Sequence, residues 1–249
     1  MATIGIFDSG SGGLSVYREL VKALPQERYV YYADNAHCPY GEKTAAYIQD
    51  RARFITRFLL DRGVDLIVVA CNTATAAAIA TLRAEFPQVP FVGMEPAVKP
   101  AALGTRSGVI GVLATAGTLK GSKYLQTRGR FQDDVRIVEH VGQGFVELVE
   151  NGILDGPEAE SVVRKSLQPL LDEGADIIVL GCTHYPFLRP VIERLAGPAV
   201  QVIDPAPAVA RHAAHVLDAR AVPTGEGPFS LELIASGDPA SLHRIHSLL

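Results

Sequence analysis

Along this chain, unbroken apolar runs of strand length alternate with stretches whose apolar positions recur at helical spacing. The runs predict strands at Thr3–Phe7, Tyr29–Ala33, Asp65–Ala70, Phe91–Gly93, Val109–Ala114, Arg136–His140, Asp176–Leu180 and Gln201–Ile203. Helical spacing predicts helices at Leu14–Leu24, Thr44–Arg62, Thr75–Phe86, Pro157–Glu173, Tyr185–Leu195 and Pro207–Leu217. The runs LIVVA and IIVLG contain no polar residue, as central parallel strands covered on both faces require. Short segments bearing Gly, Pro and Asp separate the elements. Strand–helix alternation with short loops predicts an α/β fold with parallel sheets.

The pattern also repeats. Val64–Thr73 (VDLIVVACNT) matches Ala175–His184 (ADIIVLGCTH) almost position for position: an Asp, an apolar run, a small residue, a Cys, then a polar pair. Ile4–Gly13 and Ile110–Leu119 correspond more loosely. Two such halves predict two pseudo-symmetric three-layer α/β domains with the active site in the cleft between them. The expected division is 1–95 with 208–249 for the domain bearing Cys71, and 96–207 for the domain bearing Cys182. The C-terminal stretch is expected to return to the first domain.

Composition narrows the class. Apolar residues make up 48% and charged residues 20% of 249, a globular balance rather than a disordered one. A net charge of −4 with scattered Lys and Arg offers no basic footprint, so no nucleic-acid partner is expected. No apolar run approaches the ~20 residues of a membrane span, and the N-terminus lacks a signal-peptide pattern. A cytoplasmic protein without membrane attachment is the expectation. The three cysteines are widely spaced, which is no disulfide framework. Cys38 reads as a small buried hydrophobe.

Cys71 and Cys182 read differently, because each follows a buried strand and precedes a helical pattern. Ligands of open parallel sheets bind at the carboxyl ends of the strands. Backbone N–H groups at a helix N-terminus would favour a thiolate there. Two thiols facing each other across a cleft suit inversion of a stereocentre: one takes a proton from one face while the other returns one to the opposite face. That design needs no cofactor and no metal. Other polar residues gather at the same edge. Asp8 and Ser9 lead into the turn Gly10-Ser11-Gly12-Gly13, which could hold a carboxylate or phosphate by its N–H groups. Asn72, Thr73, Thr183 and His184 follow the cysteines, and Thr115 and Thr118 follow the strand that matches the first one. His184 could relay a proton to Cys182. Asp8 and the hydroxyl residues could equally be helix caps.

The segments FDSGSGGLSV, ADNAHCPYG, VVACNTATA, GVLATAGT and LGCTHYP, in this order, resemble glutamate racemases from Ile4 to about Pro207. The resemblance implies interconversion of L- and D-glutamate without a cofactor, for peptidoglycan synthesis. It implies Cys71 and Cys182 as the acid–base pair, with Cys71 acting on D-glutamate, assisted by Asp8 and His184. Ser9, Tyr40, Gly41, Asn72, Thr73, Thr115, Thr118 and Thr183, with Asp8 and His184, would contact substrate. Neutral donors, the Tyr40 hydroxyl among them, would hold the carboxylates and Asp8 the ammonium. Glu150 matches an assisting acidic position, with Glu147 as a competitor. A homodimer is a further possibility. The nearest rival keeps the fold and changes the substrate to aspartate. A thiol oxidoreductase, a metal site on Cys38, Cys71, Cys182 and His184, and a non-catalytic anion-binding protein are more distant rivals.

Overall fold

The computed structural model describes residues 1–225 and 227–249, and its strands form two wholly parallel sheets. The first sheet has the order β4-β3-β1-β2-β9, built from β1 (Thr3–Asp8), β2 (Arg28–Ala33), β3 (Leu66–Val69), β4 (Phe91–Gly93) and β9 (Ser230–Ala235). The second has the order β6-β5-β7-β8, from β5 (Val109–Ala114), β6 (Arg136–Val141), β7 (Ile177–Gly181) and β8 (Gln201–Ile203). All the strands expected from the apolar runs are present, with ends that differ by at most one residue. β9 was not among them; it arrives after the last predicted helix and pairs in parallel with β2 from Arg28↔Ser230 to Ala33↔Ala235.

Alternation along each strand sends side chains to opposite faces, and helices cover both. In the first sheet Ile4, Ile6, Tyr29 and Tyr31 pack with Leu14, Val16 and Leu20 of α1 (Leu14–Ala23). Phe7, Val30, Tyr32, Ile67 and Val69 face the other way, onto Ile48, Ile55 and Leu59 of α2 (Ala45–Leu60) and Ala78 and Leu82 of α3 (Asn72–Glu85). In the second sheet Ile110, Val112, Ile177 and Val179 meet Val98 and Ala101 of α4 (Val98–Gly104) and Tyr124 of α6 (Ser122–Gly129), which follows the short α5 (Ala116–Leu119). Leu113, Ile178 and Leu180 face α8 (Gly156–Asp172) and α9 (Arg189–Ala196), while α7 (Phe145–Glu150) leads into α8. α10 (Ala206–Ala219) packs on α1, and α11 (Ala240–His246) docks on α7. Among the described residues no helix is long and apolar enough to cross a membrane.

Two helix starts bear on the site. Asn72–Glu85 is a regular helix with Cys71 as its N-cap, so it begins a turn earlier than the Thr75 start that apolar spacing suggests. The helix expected at Tyr185–Leu195 instead opens as a tight 3₁₀ turn over Tyr185–Leu188 and becomes α-helical only at Arg189. The two strand-to-Cys segments therefore match in sequence but diverge immediately after the thiol.

Candidate functional site

The carboxyl ends of β1, β3, β5 and β7 converge on one buried seam. β1 ends in Asp8, which is fully buried and accepts hydrogen bonds from the backbone N–H of Ser9 (2.7 Å) and of Gly13 (2.6 Å). The Gly-rich turn thus spends N–H groups on the protein's own carboxylates: Ser11 N–H donates to Glu150 at 2.8 Å. Its glycines are needed for contact with the other half of the molecule. A Cβ on Gly12 would lie 2.3 Å from the His184 ring, and one on Gly10 2.2 Å from Glu150 Oε1.

Cys71 leaves β3 and caps α3, its Sγ accepting from Ala74 N–H at 3.4 Å with Ser9 Oγ at 3.9 Å. The expected lowering of its pKa by the helix terminus does not occur. Burial pushes the thiol well above its ordinary value, the Asp8 charge adds to this, and the Ala74 N–H offsets only part. Asp8 itself is raised by burial, against the opposing pull of His184 and of its hydrogen bonds. Cys182 leaves β7 and is likewise buried, with its Sγ 3.8 Å from His184 Nδ1. His184 Nε2 lies 2.7 Å from Glu150 Oε1. Burial alone would lower the His184 pKa, but its contacts with Cys182 and Glu150 outweigh that and hold it well above the ordinary value. Burial would raise Glu150, yet His184, Ser241 and the Ser11 N–H hold it at about 2. The structure brings the two thiols close enough for the charge on Cys182 to disfavour ionisation of Cys71.

The remaining predicted residues stitch the halves together. Thr73 Oγ1 lies 2.8 Å from Thr115 Oγ1, and Thr118 Oγ1 completes a triangle at 3.0 Å from Thr115 and 3.4 Å from Thr73. Thr115 also caps α5 through Thr118 N–H, so its capping and seam roles coexist. Thr183 donates to Asp8 Oδ2 at 3.3 Å across the seam, while its carbonyl accepts from Ser15 at 2.9 Å. Gly41 packs against Thr115, with which it lines a cavity of about 360 Å³ alongside Gly142, Glu147 and Tyr185. Asn72 is buried, and neither its Oδ1 nor its Nδ2 has a hydrogen-bond partner among the described residues. Such a pair of buried polar atoms is costly to leave unmatched and suits a polar ligand.

Three sequence expectations need revision. The Tyr40 hydroxyl does not stand free for a carboxylate: it donates to Asp34 Oδ2 at 2.5 Å, and Asp34 is gripped in turn by Arg51 at 2.7 and 2.9 Å. Asp8 has its oxygens occupied by Ser9, Gly13 and Thr183, leaving it placed as a partner of Cys71 rather than an open receptor for an ammonium. Cys38 is more than a packing residue, since its Sγ, a Glu150 oxygen and a His184 nitrogen lie within 4.8 Å of one another. Burial raises the Cys38 thiol to about 12, with the charge of His184 opposing. Sequence reasoning passed over Asp34, Arg51 and Ser241. Asp34 sits in the ADNAHCPYG segment and was open to notice; Ser241 lies in no motif.

Residues 4–213 match the family described as Asp/Glu/Hydantoin racemase. A glutamate racemase of Methylococcus capsulatus is 50% identical over 239 residues, covering 96% of this chain and 88% of the relative. One of Pseudomonas aeruginosa is 48% identical over 248 residues, covering 100% and 94%. Among solved structures, an Escherichia coli glutamate racemase in complex with L-glutamate and the activator UDP-MurNAc-Ala superposes with a TM-score of 0.87 at 33% identity, covering 99% of this chain and 93% of that one.

Proposed function

The chain belongs to the Asp/Glu/Hydantoin racemase family, and from that membership we propose that it interconverts L- and D-glutamate by a two-base reaction at Cys71 and Cys182. The activity is that of an isomerase, and it supplies D-glutamate for peptidoglycan. The observation that carries the residue assignment is the seam itself: two buried thiols from equivalent strand ends, each beside a different proton partner.

The surroundings suggest how each thiol works. The His184 imidazolium, anchored by Glu150, balances a thiolate at Cys182, which takes the α-proton from one face of the substrate. The protonated Cys71, kept neutral by burial and by Asp8, delivers a proton to the other face. In the reverse direction Asp8 helps to take the Cys71 proton and the roles exchange. Asn72, with its unmatched amide, and the hydroxyls of Ser9, Thr73, Thr115, Thr118 and Thr183 supply neutral donors for the carboxylates, with Tyr40 and Gly41 contributing backbone. This limits ground-state stabilisation of the substrate. We also propose the division 1–95 with 208–249 against 96–207 as the two domains, a cytoplasmic location, and a homodimer as the assembly.

Incubating L- or D-glutamate with the protein in D₂O, with no added cofactor, tests substrate, reaction and cofactor independence together. Loss of optical rotation with one deuterium entering at the α-carbon is expected. No exchange, or faster turnover of aspartate than of glutamate, would overturn the reading.

A further inference from the structure

The Glu150 carboxylate sits on the last residue of α7, where a helix end disfavours negative charge, so other donors must hold it. Ser11 N–H and His184 Nε2 meet its Oε1 at 2.8 and 2.7 Å. Its Oε2 accepts from the hydroxyl of Ser241 in α11, the last element of the chain. Ser241 Oγ is also 3.2 Å from Ser11 Oγ. The helix that carries Ser241 is firmly seated: Leu242 and Ile245 are buried in the core, and Arg244 donates to the Asn151 carbonyl at 2.6 Å, next to the end of α7. A cavity of about 450 Å³ opens beside this contact, with Glu150, Ser241 and Arg244 in its wall.

We propose that Ser241 is a positioning residue: by holding Glu150 Oε2 it fixes the carboxylate that orients His184 against Cys182. The proposal rests on the reading of His184 and Cys182 as one side of the acid–base pair. It makes the C-terminal helix part of the apparatus on the Cys182 side only, because the partner of Cys71, Asp8, is held by Ser9, Gly13 and Thr183 instead. The charged and titratable groups facing His184 are Glu150, Cys182, Asp8 and Cys38, and among these Glu150 is the one Ser241 touches. A plain structural role for Ser241 in the first turn of α11 would act on both thiols alike. A positioning role acts on one.

The test compares Ser241→Ala with Ser241→Thr, which keeps the hydroxyl. Ser241→Ala should lower kcat about tenfold with little change in KM, the size expected for one hydrogen bond to a charged group. Ser241→Thr should restore kcat to within about threefold of the parent. The side-chain ¹⁵N titration midpoint of His184 should fall in Ser241→Ala and stay in place in Ser241→Thr. A substrate analogue with a leaving group at the β-carbon isolates each thiol, since elimination needs one base. Adding Ser241→Ala to Cys71→Ala should slow elimination, and adding it to Cys182→Ala should not. Equal slowing in both backgrounds, or an unmoved His184 titration, overturns the proposal. Should Ser241→Ala fail to fold, Ser241→Val against Ser241→Thr is the isosteric pair for the same readings, and identical behaviour of the two overturns it. The His184 titration does not require turnover. A parent protein that leaves glutamate unchanged therefore refutes the proposed function while this measurement still decides the role of Ser241.

Discussion

The segments around Cys71 and Cys182 begin as copies and end as opposites. Both leave a buried parallel strand through a small residue, Ala70 or Gly181. Cys71 then caps a regular helix beside a buried carboxyl, Asp8, whose charge discourages a thiolate. Cys182 enters a 3₁₀ turn that brings His184 back to within 3.8 Å, with Glu150 behind it. Burial and Asp8 thus favour the protonated form of one thiol, while the other lies beside an imidazole. The lesson is that the pKa of Cys71 follows its neighbours rather than the duplicated motif.

Under the proposed two-base reaction, replacing either thiol should remove one face and have the largest effect. Cys71→Ala and Cys182→Ala should each lower racemisation by at least ~10³-fold, as loss of a general acid–base group does at its upper range. Each should still eliminate the leaving group from a β-substituted analogue of one enantiomer, and the two variants should prefer opposite enantiomers. A shared preference would collapse the distinction between the two sides.

The partners come next. Asp8→Asn and His184→Gln should each lower kcat about 10²-fold, more in the direction where the neighbouring thiol is the base. The two values of kcat/KM must stay equal in every variant, because enantiomers have the same free energy in achiral solution. An Asp8 variant that slows both directions identically would show that Asp8 merely secures the turn at Gly13. Thr183→Ala, which leaves Asp8 Oδ2 with the Gly13 N–H alone and removes a donor at the seam, should reduce kcat/KM roughly ten- to a hundredfold, as loss of a hydrogen bond to a charged group would. Unchanged kinetics would leave Thr183 with its backbone contact to Ser15 alone.

The last effect is on stability rather than on rate. His184, Ser241 and the Ser11 N–H hold the Glu150 carboxyl at about 2, below its ordinary value of 4.5. A depressed carboxylate stabilises the fold above the unfolded-state pKa, and that contribution is lost as pH falls through the folded-state value. Glu150→Gln should therefore destabilise at pH 7, by up to about 3 kcal/mol, and the difference should shrink between pH 4.5 and about pH 2. Thermal or urea unfolding of the two proteins across that window measures it. An unchanging difference would mean that packing, rather than charge, holds Glu150 in place.

Apolar runs made the central strands legible because residues such as Ile67–Val69 and Ile177–Leu180 are buried on both faces and leave no polar trace. β9 escaped because it is an edge strand, half-exposed along Leu231–Ala235, with Glu232 paired to Arg28 and Arg62 instead of buried. α5, α7 and α11 are too short to display a helical period. The same limit hid Ser241, which belongs to the site only because α11 folds onto α7.

The order of residues by itself determined the two parallel sheets, the placing of Cys71 and Cys182 at strand ends, and the hydroxyl-rich loops beside them, since periodicity and turn chemistry are local properties. Tertiary structure alone decided the raised pKa of Cys71, the capture of the Tyr40 hydroxyl by Asp34, the choice of Glu150 over Glu147 as the contact of His184, and the reach of the last helix into the seam. These depend on burial and on contacts between residues far apart in the chain. Desolvation and Coulomb interactions act through space, and no spacing along a sequence encodes the distance between Ser241 and Glu150.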